Sequence, residues 1–131
     1  MARLRKWWSF RFQSSEILLT VSHDWKPKYL RELQRGEQAR AEGNEGMARV
    51  CARRAAGVVV REYFHRQNIS MPKPGALNAL KILSQSEQVS LRVRDIAVHF
   101  VWQITTEHLL PGDVDLLAEA RWLANELLDE S

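Results

Sequence analysis

Cysteine is what this chain has least of: a single thiol, Cys51, in 131 residues. One cysteine excludes an intrachain disulfide and any cysteine cluster for zinc. Cys51 sits beside Val50 and Ala52 on a helical core stripe, with no activating base in its sequence context, so it reads as a small buried hydrophobe. Long apolar runs are also missing. The longest, Ala55 to Val60, is too short to cross a bilayer, and Ile17 to Val21, broken by Thr20, is too short for a secretory signal. The expectation is a cytoplasmic protein, neither membrane-spanning nor secreted. Glycine-rich phosphate loops, GxSxG and HExxH are absent, as are internal repeats and low-complexity tracts. Glu62-Tyr-Phe-His65 is an ExxH without the second copy and further carboxylates that a di-iron bundle needs, so neither a metal nor a cofactor is expected.

What is present is the composition of an ordinary folded domain, 45% apolar and 27% charged. A chain of this length forms one domain and buries about two thirds of its unfolded surface. Charge is distributed unevenly. Residues 1 to 15 hold Arg3, Arg5, Lys6 and Arg11 and no acid, residues 26 to 66 hold ten bases against five acids, and residues 67 to 131 hold five bases against nine acids. The basic half suits an RNA backbone or an acidic protein, and equally a solvated helix face.

Periodicity divides the chain into a basic aromatic arm, residues 1–25, and a helical bundle, residues 26–131. In the arm, Trp8, Phe10 and Phe12 alternate as in a strand, while Ser15 to Ser22 fits a short helix. A helix from Pro27 carries Tyr29, Leu30 and Leu33, and Gly43-Asn44-Glu45-Gly46 supplies a stop, a capping asparagine and a new start. The second helix, about 45–67, repeats Ala48, Ala52, Ala55, Val59 and Tyr63 on one stripe. Its Arg49 and Arg53, four apart, and Arg54 and Arg61, seven apart, form cationic rows, the candidate nucleic-acid contacts. A short helix over Ala76 to Leu83 follows the Met71-to-Gly75 turn. A fourth helix from Ser90 buries Val93, Ile96, Ala97, Phe100 and Ile104. A last helix, capped by Asp113, buries Leu116, Leu117, Ala120, Leu123, Ala124 and Leu127. The fold class is all-α: an antiparallel bundle of four longer helices plus one short helix, with an N-terminal arm.

The fourth helix carries the candidate chemistry. In Leu91-Arg-Val-Arg94-Asp-Ile-Ala-Val-His99, Arg92 lies seven residues and Asp95 four residues before His99, so all three share a face. Arg94, five residues before His99, is turned about 140° away on an ideal helix. A histidine that moves protons and an arginine that grips a phosphate suffice for metal-free cleavage of RNA, with Asp95 orienting the imidazole. The plainer reading is a surface Asp–His pair.

The segment Arg94-Asp95-Ile96-Ala97-Val98-His99 resembles the Arg-(polar)-x3-His motif of HEPN domains, small helical bundles many of which are metal-independent ribonucleases of toxin–antitoxin and defence systems. The helix order over residues 28–129 resembles theirs, diffusely. The resemblance implies Arg94 and His99 as a catalytic pair, Asp95 as the polar neighbour, a homodimer that brings two motifs into one cleft, and a nucleotidyltransferase-type antitoxin partner. Val101 stands where many such toxins carry a tyrosine that the antitoxin modifies. The expected function is therefore an HEPN-like RNA-cleaving or RNA-binding homodimer, with a non-catalytic protein-interaction module as the alternative.

Overall fold

The structure, a computed structural model, describes residues 24–106 and 114–129, with side chains at 24–101 and 114–129. The strand and helix expected within the arm, and Asp113, lie outside the described residues. Five helices account for nearly all of what is described: α1 (Trp25–Ala41), α2 (Glu45–Arg66), α3 (Ala76–Ser84), α4 (Leu91–Thr106) and α5 (Leu116–Leu128). No strand occurs among the described residues, and none of their helices is long and apolar enough to cross a membrane. The all-α bundle of four longer helices and one short helix is what the apolar periodicity demands.

Local chemistry sets the helix ends. Asn44 caps α2 through its side-chain oxygen, which accepts the Met47 N–H at 3.0 Å. Ser90 caps α4 in the same way through the Val93 N–H, at 3.2 Å. The last helix starts later than the sequence suggests. Its cap is Asp115, whose carboxylate accepts the Ala118 N–H at 3.2 Å, and not Asp113, because the first helical residue is Leu116. The division at residues 25 and 26 also moves. Trp25 opens α1 and packs into the core at 5.8 Å from the Tyr29 ring, so it belongs to the bundle.

Helix α2 is the axis of the molecule. It packs against α1, α3 and α5, and its buried face is made mostly of small side chains: Ala48, Cys51, Ala52, Ala55, Ala56, Val59 and Val60. Small residues let neighbouring backbones come close, and larger side chains from α3 and α5, Leu80, Leu83, Leu116, Leu117 and Leu123, fill the space. Two glycines mark the tightest approaches. A Cβ added to Gly36 of α1 would lie 2.6 Å from Leu117 Cδ2, and one added to Gly57 of α2 would lie 2.7 Å from the Cα of Ala76. Cys51 is fully buried in this interface, and burial pushes its thiol above the usual range.

An ion network ties three helix ends together. Arg40 in the last turn of α1 reaches Glu45, which opens α2, at 2.8 and 3.0 Å, and Asp115, the cap of α5, at 3.0 Å. The Arg40 hydrogen bond holds the Glu45 carboxyl below its ordinary range. For Asp115, burial works in the opposite direction, but the Ala118 N–H and Arg40 together prevail and its carboxyl also falls. These groups are a third to a half exposed, so solvent screens the pairs and Arg40→Met should cost only about 1 kcal/mol at neutral pH. A carboxyl whose folded pKa is depressed stabilises the fold above its unfolded pKa and loses that contribution as pH falls through the folded value. The gap between wild type and Arg40→Met in urea melts should therefore shrink below about pH 4. A gap as large at pH 3 as at pH 7 would contradict the network's role.

Candidate functional site

Histidine 99 lies on the edge of α4 that faces α5. Its Nδ1 sits 2.9 and 3.1 Å from the two carboxylate oxygens of Glu119, and the two side chains retain 27% and 18% exposure, so the pair is shielded yet reachable from solvent. A carboxylate only accepts, so Nδ1 carries the hydrogen, and in the neutral ring the acceptor lone pair is at Nε2. The orienting acid is thus on α5. Asp95, which spacing offered for that role, is exposed, and Nδ1 is directed at Glu119.

Arginine 92, one face-repeat back along α4, stacks its guanidinium 5.0 Å from the centre of the Trp122 ring. Glu119 and Trp122 are three apart on α5, and Arg92 and His99 seven apart on α4. Glu119 meets His99 and Trp122 meets Arg92, so the two helices run antiparallel along this edge. The result is a row of Arg92, Trp122, His99 and Glu119. It contains a cation, an aromatic face, a proton-transfer group and the acid that fixes its tautomer.

Arginine 94 stands apart. Helix α4 runs unbroken from Leu91 to Thr106, so the ideal-helix separation of about 140° between Arg94 and His99 holds along it. Its side chain is half-buried, and its Nε is shielded from solvent with no hydrogen-bond partner among the described residues. The exposed large side chain of Leu91 lies in the same first turn.

The arginine rows of α2 separate by exposure. Arg49 and Arg53 are half-buried and engaged in interactions, whereas Arg54 and Arg61 are exposed. As a nucleic-acid surface, α2 therefore offers mainly Arg54 and Arg61. No group of three or more histidines, cysteines, aspartates or glutamates that could hold a metal ion occurs among the described residues.

A groove of about 500 Å³ opens beside the row, between α1 and α5. Tyr29, Leu30 and Leu33 form one wall, Trp122 and Asn125 the other, and Lys26 sits at its rim. Trp122 thus touches both Arg92 and the groove. Neither Glu119 nor the groove is visible from spacing, because both arise from residues distant in sequence. The one signal for Glu119 is its place next to Ala120, at the flank of α5's apolar stripe, three residues before a tryptophan.

Compared with models of protein families, with characterised proteins and with solved structures, the chain matches none.

Proposed function

We propose that this protein is an HEPN-like ribonuclease that cleaves or grips RNA without a metal, acting as a homodimer. The observation that carries the reading is the His99–Glu119 pair: an imidazole that keeps solvent access while a carboxylate on a second helix fixes its tautomer. In the reaction, His99 Nε2 takes the proton of a ribose 2′-hydroxyl, the 2′-oxygen attacks the adjacent phosphorus, and the bond from phosphorus to the 5′-oxygen breaks. The leaving 5′-oxygen takes its proton from a protonated imidazole, supplied by the second subunit's copy of this histidine. Products end in a 2′,3′-cyclic phosphate and a 5′-hydroxyl.

Arg92 is the cation within the subunit placed to hold the phosphate, and Arg94 serves across the two-fold axis, where the turn of the helix directs it away from its own His99. Exposed Leu91 beside these arginines supports a dimer built on the start of α4. Arg54 and Arg61 extend the phosphate contacts. A nucleotidyltransferase-type antitoxin would act on such a protein at a residue other than Val101, which has no hydroxyl to modify.

The test is incubation of the purified protein with single-stranded RNA in EDTA, with the product ends identified. Cyclic-phosphate ends are expected; RNA left intact at concentrations where the protein is dimeric would overturn the cleavage reading. The α1/α5 groove with half-exposed Leu30 favours the second reading, a non-catalytic module that docks a protein partner. In that case Leu30→Lys should abolish partner binding while His99→Ala leaves it unchanged.

A further inference from the structure

A separate cleft lies on the opposite side of α1, where the helix's first turn meets the last turns of α2. It encloses about 270 Å³ and is lined by Asp24, Trp25, Lys28, Arg61, Glu62 and His65, with Val58 at its base. Its charges are unevenly matched. Glu62 is already bonded to Arg66 at 3.0 Å, and Arg66 in turn lies over the Trp25 ring. Among the described residues no carboxylate pairs with Lys28, Arg61 or His65. The Nε of Arg61 donates to the Gly57 carbonyl at 3.3 Å, which holds the base of the guanidinium and leaves its outer edge for a ligand.

The start of α1 adds hydrogen-bond donors there. The N-cap of α1, Asp24, makes no side-chain cap hydrogen bond, and the first turn that follows holds no acid, so no side chain caps the backbone N–H groups at this helix end. The one carboxylate of the lining that is not bonded to a base, Asp24, opposes an anion but is outnumbered by Lys28 and Arg61, with His65 beside them. The cleft is just below the roughly 300–1,000 Å³ of pockets for drug-sized ligands, so it suits a small group and not an extended strand.

We propose that this cleft binds a terminal phosphate, a phosphomonoester held by Arg61 and Lys28 with His65 as a third donor. Arg61 then acts as a specific anchor in addition to its place in the basic row of α2. The cleft shares no residue with His99, Glu119 or Arg92 and has only Arg61 in common with the RNA contacts proposed above, so the AMP titration succeeds or fails whatever the outcome of the cleavage assay.

Isothermal titration of the full chain with AMP and with adenosine tests it. AMP should bind one to one and adenosine should not; Arg61→Gln and Lys28→Gln should each weaken AMP binding at least about tenfold, and Lys81→Gln, on α3, should leave it unchanged. All three side chains are exposed, and matching thermal melts would show that the variants are folded. Two RNA oligonucleotides of one sequence, with and without a 5′-phosphate, identify the source. Preference for the phosphorylated end assigns an RNA terminus, and AMP binding without that preference assigns a free phosphorylated small molecule; either result upholds the site. Absence of saturable AMP binding, or an equal loss in Lys81→Gln, would overturn it.

Discussion

Substituting His99→Ala should reduce RNA cleavage by a factor of about a hundred or more, the usual contribution of a positioned acid or base. In the proposed mechanism the loss should appear in kcat and not in KM, because there the imidazole acts on a proton in flight while Arg92 and the exposed arginines of α2 hold the phosphate. Removing the ring also strands Glu119, half-buried on α5, at a cost of about 1–2 kcal/mol, so cleavage must be measured well below the variant's melting temperature. In that mechanism Glu119 is a positioning residue, and its variants separate this role from simple packing. Glu119→Gln keeps an acceptor for the Nδ1 hydrogen and should retain more activity than Glu119→Ala at similar stability. Asp95→Ala should change cleavage little, since Asp95 is exposed and Nδ1 is bound to Glu119. Cleavage unchanged in His99→Ala would remove the histidine from the mechanism; a large loss in Asp95→Ala would restore the pairing that spacing alone suggests.

The second large effect concerns the fold. Gly57→Ala introduces a methyl group 2.7 Å from the Cα of Ala76, and because a backbone atom is in the way, relief requires α3 to move off α2. Overpacking of this kind costs about 3 kcal/mol, while replacing a mid-helix glycine by alanine returns about 1 kcal/mol of helix propensity. The clash wins by about 2 kcal/mol. For a chain of this size the melting temperature should fall by roughly 8 °C. Gly46→Ala is the matched control, since its new methyl would meet only the Asn44 side-chain oxygen at 3.8 Å, and it should be neutral or stabilising. Thermal denaturation followed by circular dichroism reads both. A Gly57→Ala protein as stable as Gly46→Ala would mean that α3 yields without cost.

Much of the bundle was legible because helices announce themselves locally. The stripe from Ala48 to Val59, the Asn44 cap and the Met71-to-Gly75 turn depend on residues within a few positions of each other. The cap of α5 was misplaced for the same reason: Asp113 and Asp115 offer the same carboxylate two residues apart, and only the observed start at Leu116 selects between them. The candidate site was half legible. His99 and Arg92 share a helix face, and three-dimensional placement keeps them on one edge. Spacing points to Asp95 and is silent on Glu119, because i,i+4 proximity can be counted along a chain, whereas a partner 20 residues away can be found only after the helices pack.

Sequence by itself determined that this chain is helical, where its helices run, which faces they bury, and that a histidine and several arginines stand outside the core. Those properties follow from backbone periodicity and apolar burial, which act residue by residue. Tertiary structure decided which charges meet: His99 with Glu119, Arg92 with Trp122, Arg40 with two helix starts, and Arg61 with an open cleft. Electrostatic and aromatic contacts act over a few ångströms of space, and separation along the chain does not measure that distance.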